Sequence, residues 1–87
     1  MHYQVIWKTK AIKQTRKLPL GIYRKLEESV DCLVDSETWK NVKSLKNHKY
    51  DYRMRVGSYR VLLTVDKHSQ INIVNIEEVR ERDERTY

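Results

Sequence analysis

The chain has 87 residues, enough for one small domain with a marginally sized core. Charged residues make up 34% of it and the apolar set 39%, and no apolar run is long enough to span a bilayer. Lysine and arginine outnumber aspartate and glutamate 18 to 12, a net charge of +6 that suits nucleic acid or an acidic partner.

Polarity alternates from His2 to Lys8 and predicts a first strand with Tyr3, Val5 and Trp7 on one face. The same segment lacks the basic-then-apolar pattern of a signal peptide. A single cysteine, Cys32, can form no internal disulfide, which fits a reducing cytoplasm. Thr9 is placed to cap a short helix over residues 10 to about 18, which Pro19 ends. A second helix is expected from about residue 20 to 34. Ile22, Leu26, Val30, Leu33 and Val34 recur there at helical spacing, with Glu27, Glu28 and Asp31 mainly off the stripe. Cys32 lies within this apolar pattern and reads as a core residue. Residues 35 to 49 lack periodicity and read as a loop, with at most a turn of helix. Three strands follow, at about residues 50 to 56, 59 to 66 and 70 to 79, with Asp66-Lys67-His68-Ser69 as the second hairpin turn. Residues 80 to 87 form a short charged tail. No linker, repeat or low-complexity block interrupts residues 1 to 87, which read as a single domain. The fold class is α+β, ordered β-α-α-β-β-β, with two helices packed on one face of an antiparallel sheet.

The segment Tyr52-Arg53-Met54-Arg55-Val56-Gly57-Ser58-Tyr59-Arg60 carries the most information. Alternation puts Arg53 and Arg55 on one face of a strand and Tyr52, Met54 and Val56 on the other. The chain reverses at Gly57-Ser58, so Arg60 on the returning strand comes near both arginines. Like charges on adjacent strands repel, and an anion such as a phosphate backbone would relieve that repulsion. From Lys40 to Arg60 seven basic residues (Lys40, Lys43, Lys46, Lys49, Arg53, Arg55 and Arg60) stand against Asp51 alone. With the acidic cluster at Glu27, Glu28, Asp31, Asp35 and Glu37, this predicts a bipolar surface. A solvated lysine-rich surface is the plainer reading of the same composition.

Other chemistries find little support. His2, His48 and His68 are scattered, and no ligand spacing for a metal appears. Gly21 and Gly57 are isolated, so no phosphate loop is present, and no cofactor is expected. His48 is the best-placed histidine for acid–base work, although a surface-loop role explains it more simply. Arg53, Arg55, Arg60, the arginines at 80, 82 and 85, and Tyr87 suffice for one reaction. Attack of an RNA 2′-OH on its own phosphodiester needs no metal, only alignment, stabilisation of the phosphorane charge and a proton route. Arginines supply the charge, and a tyrosine or a guanidinium among other cations can assist proton transfer. Tyr52 and Tyr59 read as core packing, whereas Tyr87 is open to a catalytic, stacking or frayed-terminus reading.

The central block, together with Arg16-Lys17-Leu18-Pro19, Leu45-Lys46 and the arginine-rich end closing at Tyr87, resembles the RelE/ParE superfamily of bacterial toxins over nearly the whole chain. The resemblance implies the fold read above and one half of a type II toxin–antitoxin pair. RelE-like members cut mRNA in the ribosomal A site; ParE-like members poison DNA gyrase and generally lack the basic catalytic set. Arg53 and Arg55 fit the two basic residues on the strand before the hairpin, Arg60 the phosphate-contacting arginine after it, and Tyr87 the late tyrosine. Either Arg80 or Arg82 fits the late arginine. Lys40, Lys43, Lys46 and Lys49 are expected to dock on ribosomal RNA. The expected partners are the ribosome with its mRNA and an adjacent small antitoxin bearing an acidic, amphipathic segment, with no membrane.

The pattern departs from the family in places. Arginines stand where the best-known member has two lysines, the hairpin turn is shorter, and the C-terminal helix of several relatives is not expected here. Glu77, Glu78, Glu81, Asp83 and Glu84 bring carboxylates near the site, where they weaken phosphate binding or serve as partners for the arginines. A ribosome-dependent endoribonuclease leads. A gyrase-directed toxin and a non-catalytic RNA-binding module are the alternatives.

Overall fold

Alternating exposed and half-buried residues build β1 (Gln4–Trp7), whose Val5 and Trp7 pack against the core. The computed structural model describes residues 2–66 and 72–81. After β1 come α1 (Thr9–Thr15), α2 (Leu20–Asp31), two single 3-10 turns at Cys32–Val34 and Ser36–Thr38, then β2 (Val42–Ser44), β3 (Tyr52–Val56), β4 (Tyr59–Asp66) and β5 (Ile73–Glu81). The strands form one sheet in the order β1-β5-β4-β3-β2. β3, β4 and β5 are an antiparallel meander, and β2 adds antiparallel to β3. β1 pairs parallel to β5, so the sheet is mixed and not wholly antiparallel. The two helices carry the chain across before the meander begins, and its last strand then runs alongside β1 in the same direction.

The α+β class and the helices on one face agree with the sequence reading. β2 corrects the expected loop over 35 to 49. It is only three residues long, so it offers no measurable alternation, and its pairing with β3 (Val42 opposite Met54) is what makes it a strand. Thr9 is the first helical residue and not the cap. Lys8 fills the cap position with extended backbone, its N–H donating to Ile76 O at 2.9 Å, so the β1–β5 ladder runs straight into the helix. α1 ends at Thr15, three residues before its expected end, as Leu18 N–H closes a tight turn on Thr15 O (3.1 Å) ahead of Pro19.

α2 delivers Leu26 and Val30, and the 3-10 turn delivers Leu33, all with no exposed surface. They meet Ala11 of α1 and Met54, Val61, Leu63, Val74, Ile76 and Val79 of the sheet. Each fully buried aliphatic side chain contributes roughly 1.5–3 kcal/mol of transfer free energy. The tightening from 3.6 to about 3 residues per turn shifts the phase of the stripe, leaving Val34 47% exposed. Cys32, expected in the core, is exposed. It follows Val30 by two residues and so lies on the far side of the helix from the stripe.

Gly57 and Ser58 alone connect β3 to β4, with Val56 opposite Tyr59. Gly57 has φ +57°, a conformation that favours glycine. This short turn fixes the register of the arginines.

Candidate functional site

The apolar face of the sheet is taken by the helices, so alternation sends Arg53, Arg55, Arg60, Leu62, Glu78 and Arg80 to the opposite face. There the register builds two adjacent rows. Arg55 pairs with Arg60 across β3–β4, and Arg60 pairs with Arg80 across β4–β5. Two residues along, Lys43 pairs with Arg53, Arg53 with Leu62 and Leu62 with Glu78. Arginines at directly opposed positions on three neighbouring strands concentrate positive charge in one band. Like charges directly opposite one another destabilise a sheet. β5 runs on to Glu81, so Arg80 belongs to the strand and not to a tail.

A β-bulge supports this arrangement. Leu62 pairs with Glu78 but Leu63 pairs with Ile76, leaving Glu77 as the extra residue on β5. Thr64 Oγ1 donates to Glu77 Oε2 at 2.6 Å, while Glu78 engages the arginine row.

Glu78 is the buried acid of the site, its side chain 6% exposed. Arg80 donates from Nε to Oε1 at 2.7 Å and from Nη2 to Oε2 at 3.2 Å. The Tyr50 hydroxyl donates to Oε2 at 2.7 Å, and Lys10 Nζ of α1 lies 3.5 Å from the same oxygen. The hydrogen bonds from Arg80 are the main cause holding the Glu78 carboxyl at about 2, with Tyr50 and Lys10 acting the same way against burial, which pushes it up. The Tyr50 hydroxyl is pushed up, chiefly by its bond to Glu78, and the Arg80 guanidinium is held more firmly protonated by the same carboxylate. Alongside, Gln14 of α1 accepts from Val79 N–H at 2.6 Å, so α1 continues the edge contacts of β5 where the β1 pairing stops.

The sequence-predicted residues divide clearly. Arg53, Arg55, Arg60 and Arg80 share one face. Arg82 and Tyr87 lie outside the described residues. Lys43 stands on β2 beside Arg53, and Lys40 precedes β2, lining a cavity of about 140 Å³ with Ser29, Cys32, Asn41, Met54 and Arg55. Lys46 and Lys49 are exposed in the loop before β3, with Lys49 Nζ 5.5 Å from the centre of the Tyr50 ring. Tyr52 and Tyr59 pack against the core, away from the arginines. His48 accepts from Tyr50 N–H at Nδ1 (3.1 Å), which commits that nitrogen to holding the loop. Glu27, Glu28 and Asp31 are exposed on α2, in the layer opposite the arginine band. Among the described residues no group of three or more His, Cys, Asp or Glu side chains could hold a metal. No helix among them is long and apolar enough to cross a membrane.

The sequence reading had Glu78 as one of five carboxylates that could pair with arginines. It missed Tyr50 and Lys10. Glu78 stands two residues before Arg80, which on a strand places both on one face. Lys10 is 68 positions from its partner and Tyr50 is 28, and nothing local joins them.

No family model matches the chain, and no curated protein matches it. Solved structures do. The archaeal RelE–RelB complex from Pyrococcus horikoshii contains a chain 27% identical, with a TM-score of 0.77, over 97% of this chain and 99% of that one. The toxin–antitoxin complex RelBE2 of Mycobacterium tuberculosis gives 26% identity and 0.74, over 94% and 100%. The free E. coli toxin RelE, in a double arginine-to-alanine variant, gives 21% and 0.73, over 99% and 88%, a likeness of fold. Two helices on one face of a five-stranded mixed sheet are thus the fold this chain shares with these RelE toxins. The chain is RelE-like over nearly its whole length.

Proposed function

We propose that this protein is the toxin of a type II toxin–antitoxin pair and acts as a ribosome-dependent mRNA endoribonuclease in the cytoplasm. The observation that carries the reading is the in-register row Arg55–Arg60–Arg80 with Arg53 beside it, on a RelE-like fold. In the proposed reaction the 2′-oxygen forms a bond to phosphorus as the P–O5′ bond breaks. The products are a 2′,3′-cyclic phosphate and a 5′-hydroxyl. The 2′-OH gives up its proton to a base, and the leaving 5′-oxygen takes one up. Arg60 holds the scissile phosphate and stabilises the charge that builds on its equatorial oxygens. Arg53 and Arg55 position the backbone, with one of them assisting proton transfer. Arg80, in line with Arg60, fills the late-arginine role more readily than Arg82. Tyr87 serves as base or stacks on an unpaired base. No step calls for a metal.

Lys43 pairs with Arg53 and Lys49 lies against the Tyr50 ring; together with Lys40 and Lys46 they suit docking on ribosomal RNA. The P. horikoshii and M. tuberculosis relatives are both toxin–antitoxin complexes, which supports a cognate antitoxin here. Its toxin-binding segment should carry acidic residues and apolar anchors to match the basic face.

Primer extension on mRNA from expressing cells tests the reading. New cuts within translated frames are expected. Intact mRNA with an induced DNA-damage response would favour a gyrase target. Intact mRNA with RNA retained on the purified protein would favour a non-catalytic binding module. Co-expression with the adjacent small open reading frame should restore growth and co-purify its product.

A further inference from the structure

We infer that Glu78 is the positioning residue for Arg80: its buried carboxylate, anchored by Tyr50 and Lys10, fixes the plane and reach of that guanidinium within the arginine row. The inference deepens the nuclease reading and rests on it.

Three observations carry it. First, the grip is two-pronged. Nε and Nη2 of Arg80 both donate to the carboxylate, at 2.7 and 3.2 Å. An arginine held by two nitrogens cannot rotate about its last bonds without breaking both hydrogen bonds, and Nη1 remains for an incoming phosphate. Second, the acceptor is itself held. Its side chain is 6% exposed and takes a 2.7 Å bond from Tyr50, while Lys10 stands at 3.5 Å. These donors arrive from the loop before β3 and from α1, so they brace the carboxylate from outside its own strand. Third, the alternative is costly. Arg80 faces Arg60, which faces Arg55, and its side chain, 57% exposed, would if untethered swing away from that row into water. The carboxylate offsets part of the repulsion. A single Glu two residues before Arg80 thereby turns a mobile cation into an oriented one.

The test is a double-mutant cycle in single-turnover cleavage of mRNA on purified, programmed ribosomes. The proteins are wild type, Glu78→Gln, Arg80→Ala and the pair, each checked for native circular dichroism. Misplacing a charge stabiliser costs about tenfold to a hundredfold in rate, so Glu78→Gln should lose that much at saturating ribosome. The half-saturating concentration should move less than about twofold, because docking is unaffected. In the Arg80→Ala background the same change should do nothing further, since Arg80 is what Glu78 acts through. Tyr50→Phe removes the anchor and keeps the grip, so it should lose a smaller factor that also vanishes without Arg80. Full activity in Glu78→Gln overturns the inference, as does an equal loss with and without Arg80, which a purely structural role would give.

A readout without cleavage separates this inference from the reading beneath it. The side-chain Nε–H resonance of Arg80 should be downfield and slow to exchange in wild type and lose both properties in Glu78→Gln. A resonance that ignores Glu78 overturns the grip itself. A resonance that depends on Glu78 in a protein that never cleaves mRNA overturns the nuclease reading, and with it the catalytic purpose of the grip.

Discussion

Acid should undo the Glu78 cluster within a defined window. The Glu78 carboxyl moves from an ordinary 4.5 to about 2 in the folded protein, with Arg80 as the main cause. Each tenfold change in a group's proton affinity on folding corresponds to about 1.4 kcal/mol, so the ceiling on its contribution is roughly 3 kcal/mol. Arg80 and Lys10 are 57% and 59% exposed, and water screens their share of the attraction. A contribution of about 1–2 kcal/mol is the realistic expectation. Because the folded value is the lower one, this stability is complete above about pH 4.5 and drains away as pH falls toward 2. Thermal melts of wild type and Glu78→Gln at intervals from pH 7 to pH 2 measure it, since acid effects common to both cancel in the difference. For a domain of this size each kcal/mol moves Tm by about 4–8 °C, so wild type should melt clearly higher at pH 7 and equal to the variant near pH 2. A difference that persists undiminished at pH 2, grows on acidification or is absent at pH 7 would refute the reasoning.

Arg60→Ala should stay folded and lose about a hundredfold or more in mRNA cleavage, read as lost growth arrest in expressing cells; a folded, fully toxic Arg60→Ala ends its assignment. Replacing Lys40, Lys43, Lys46 and Lys49 by glutamine should weaken ribosome binding more at low salt than at high. Each lost phosphate contact should flatten the log–log salt slope by about 0.7–0.9, measured by co-sedimentation across salt concentrations. Gly57→Ala should cost about 1 kcal/mol through backbone strain alone, because φ is +57° and a Cβ there meets nothing within 4 Å. Urea melts should show that loss with cleavage retained, and a cost several times larger would mean the turn is packed more tightly than the geometry indicates.

The parts of this fold that could be read from sequence are those with a period. Met54 between two arginines announced β3, and the Leu26–Val30–Leu33 spacing announced the buried side of α2. Gly57-Ser58 then fixes the hairpin, so the meeting of Arg55 and Arg60 is legible in the sequence itself. What was not legible depends on contacts between distant segments. β2 exists because Val42 finds Met54, and β1 runs parallel because β5 offers its edge. Cys32 was misplaced because the stripe passes it by two positions, a phase error that burial alone corrects. The same holds for the site. In the sequence Arg80 reads as the start of a tail, and only the β4–β5 register carries it into line with Arg60. The Tyr50 and Lys10 contacts with Glu78 link loop, helix and strand, and no local pattern encodes them.

If the arginine band cuts mRNA on the ribosome, as proposed, a reconstituted reaction should show it. Purified protein is mixed with ribosomes programmed on a defined end-labelled mRNA, with an empty A site and with chelator present, and the fragments are mapped at nucleotide resolution. A single cut within the A-site codon is expected, leaving a 2′,3′-cyclic phosphate and a 5′-hydroxyl, abolished by Arg60→Ala and absent on naked mRNA. Intact mRNA on A-site-empty ribosomes, with folded protein shown to be bound, would contradict the proposal.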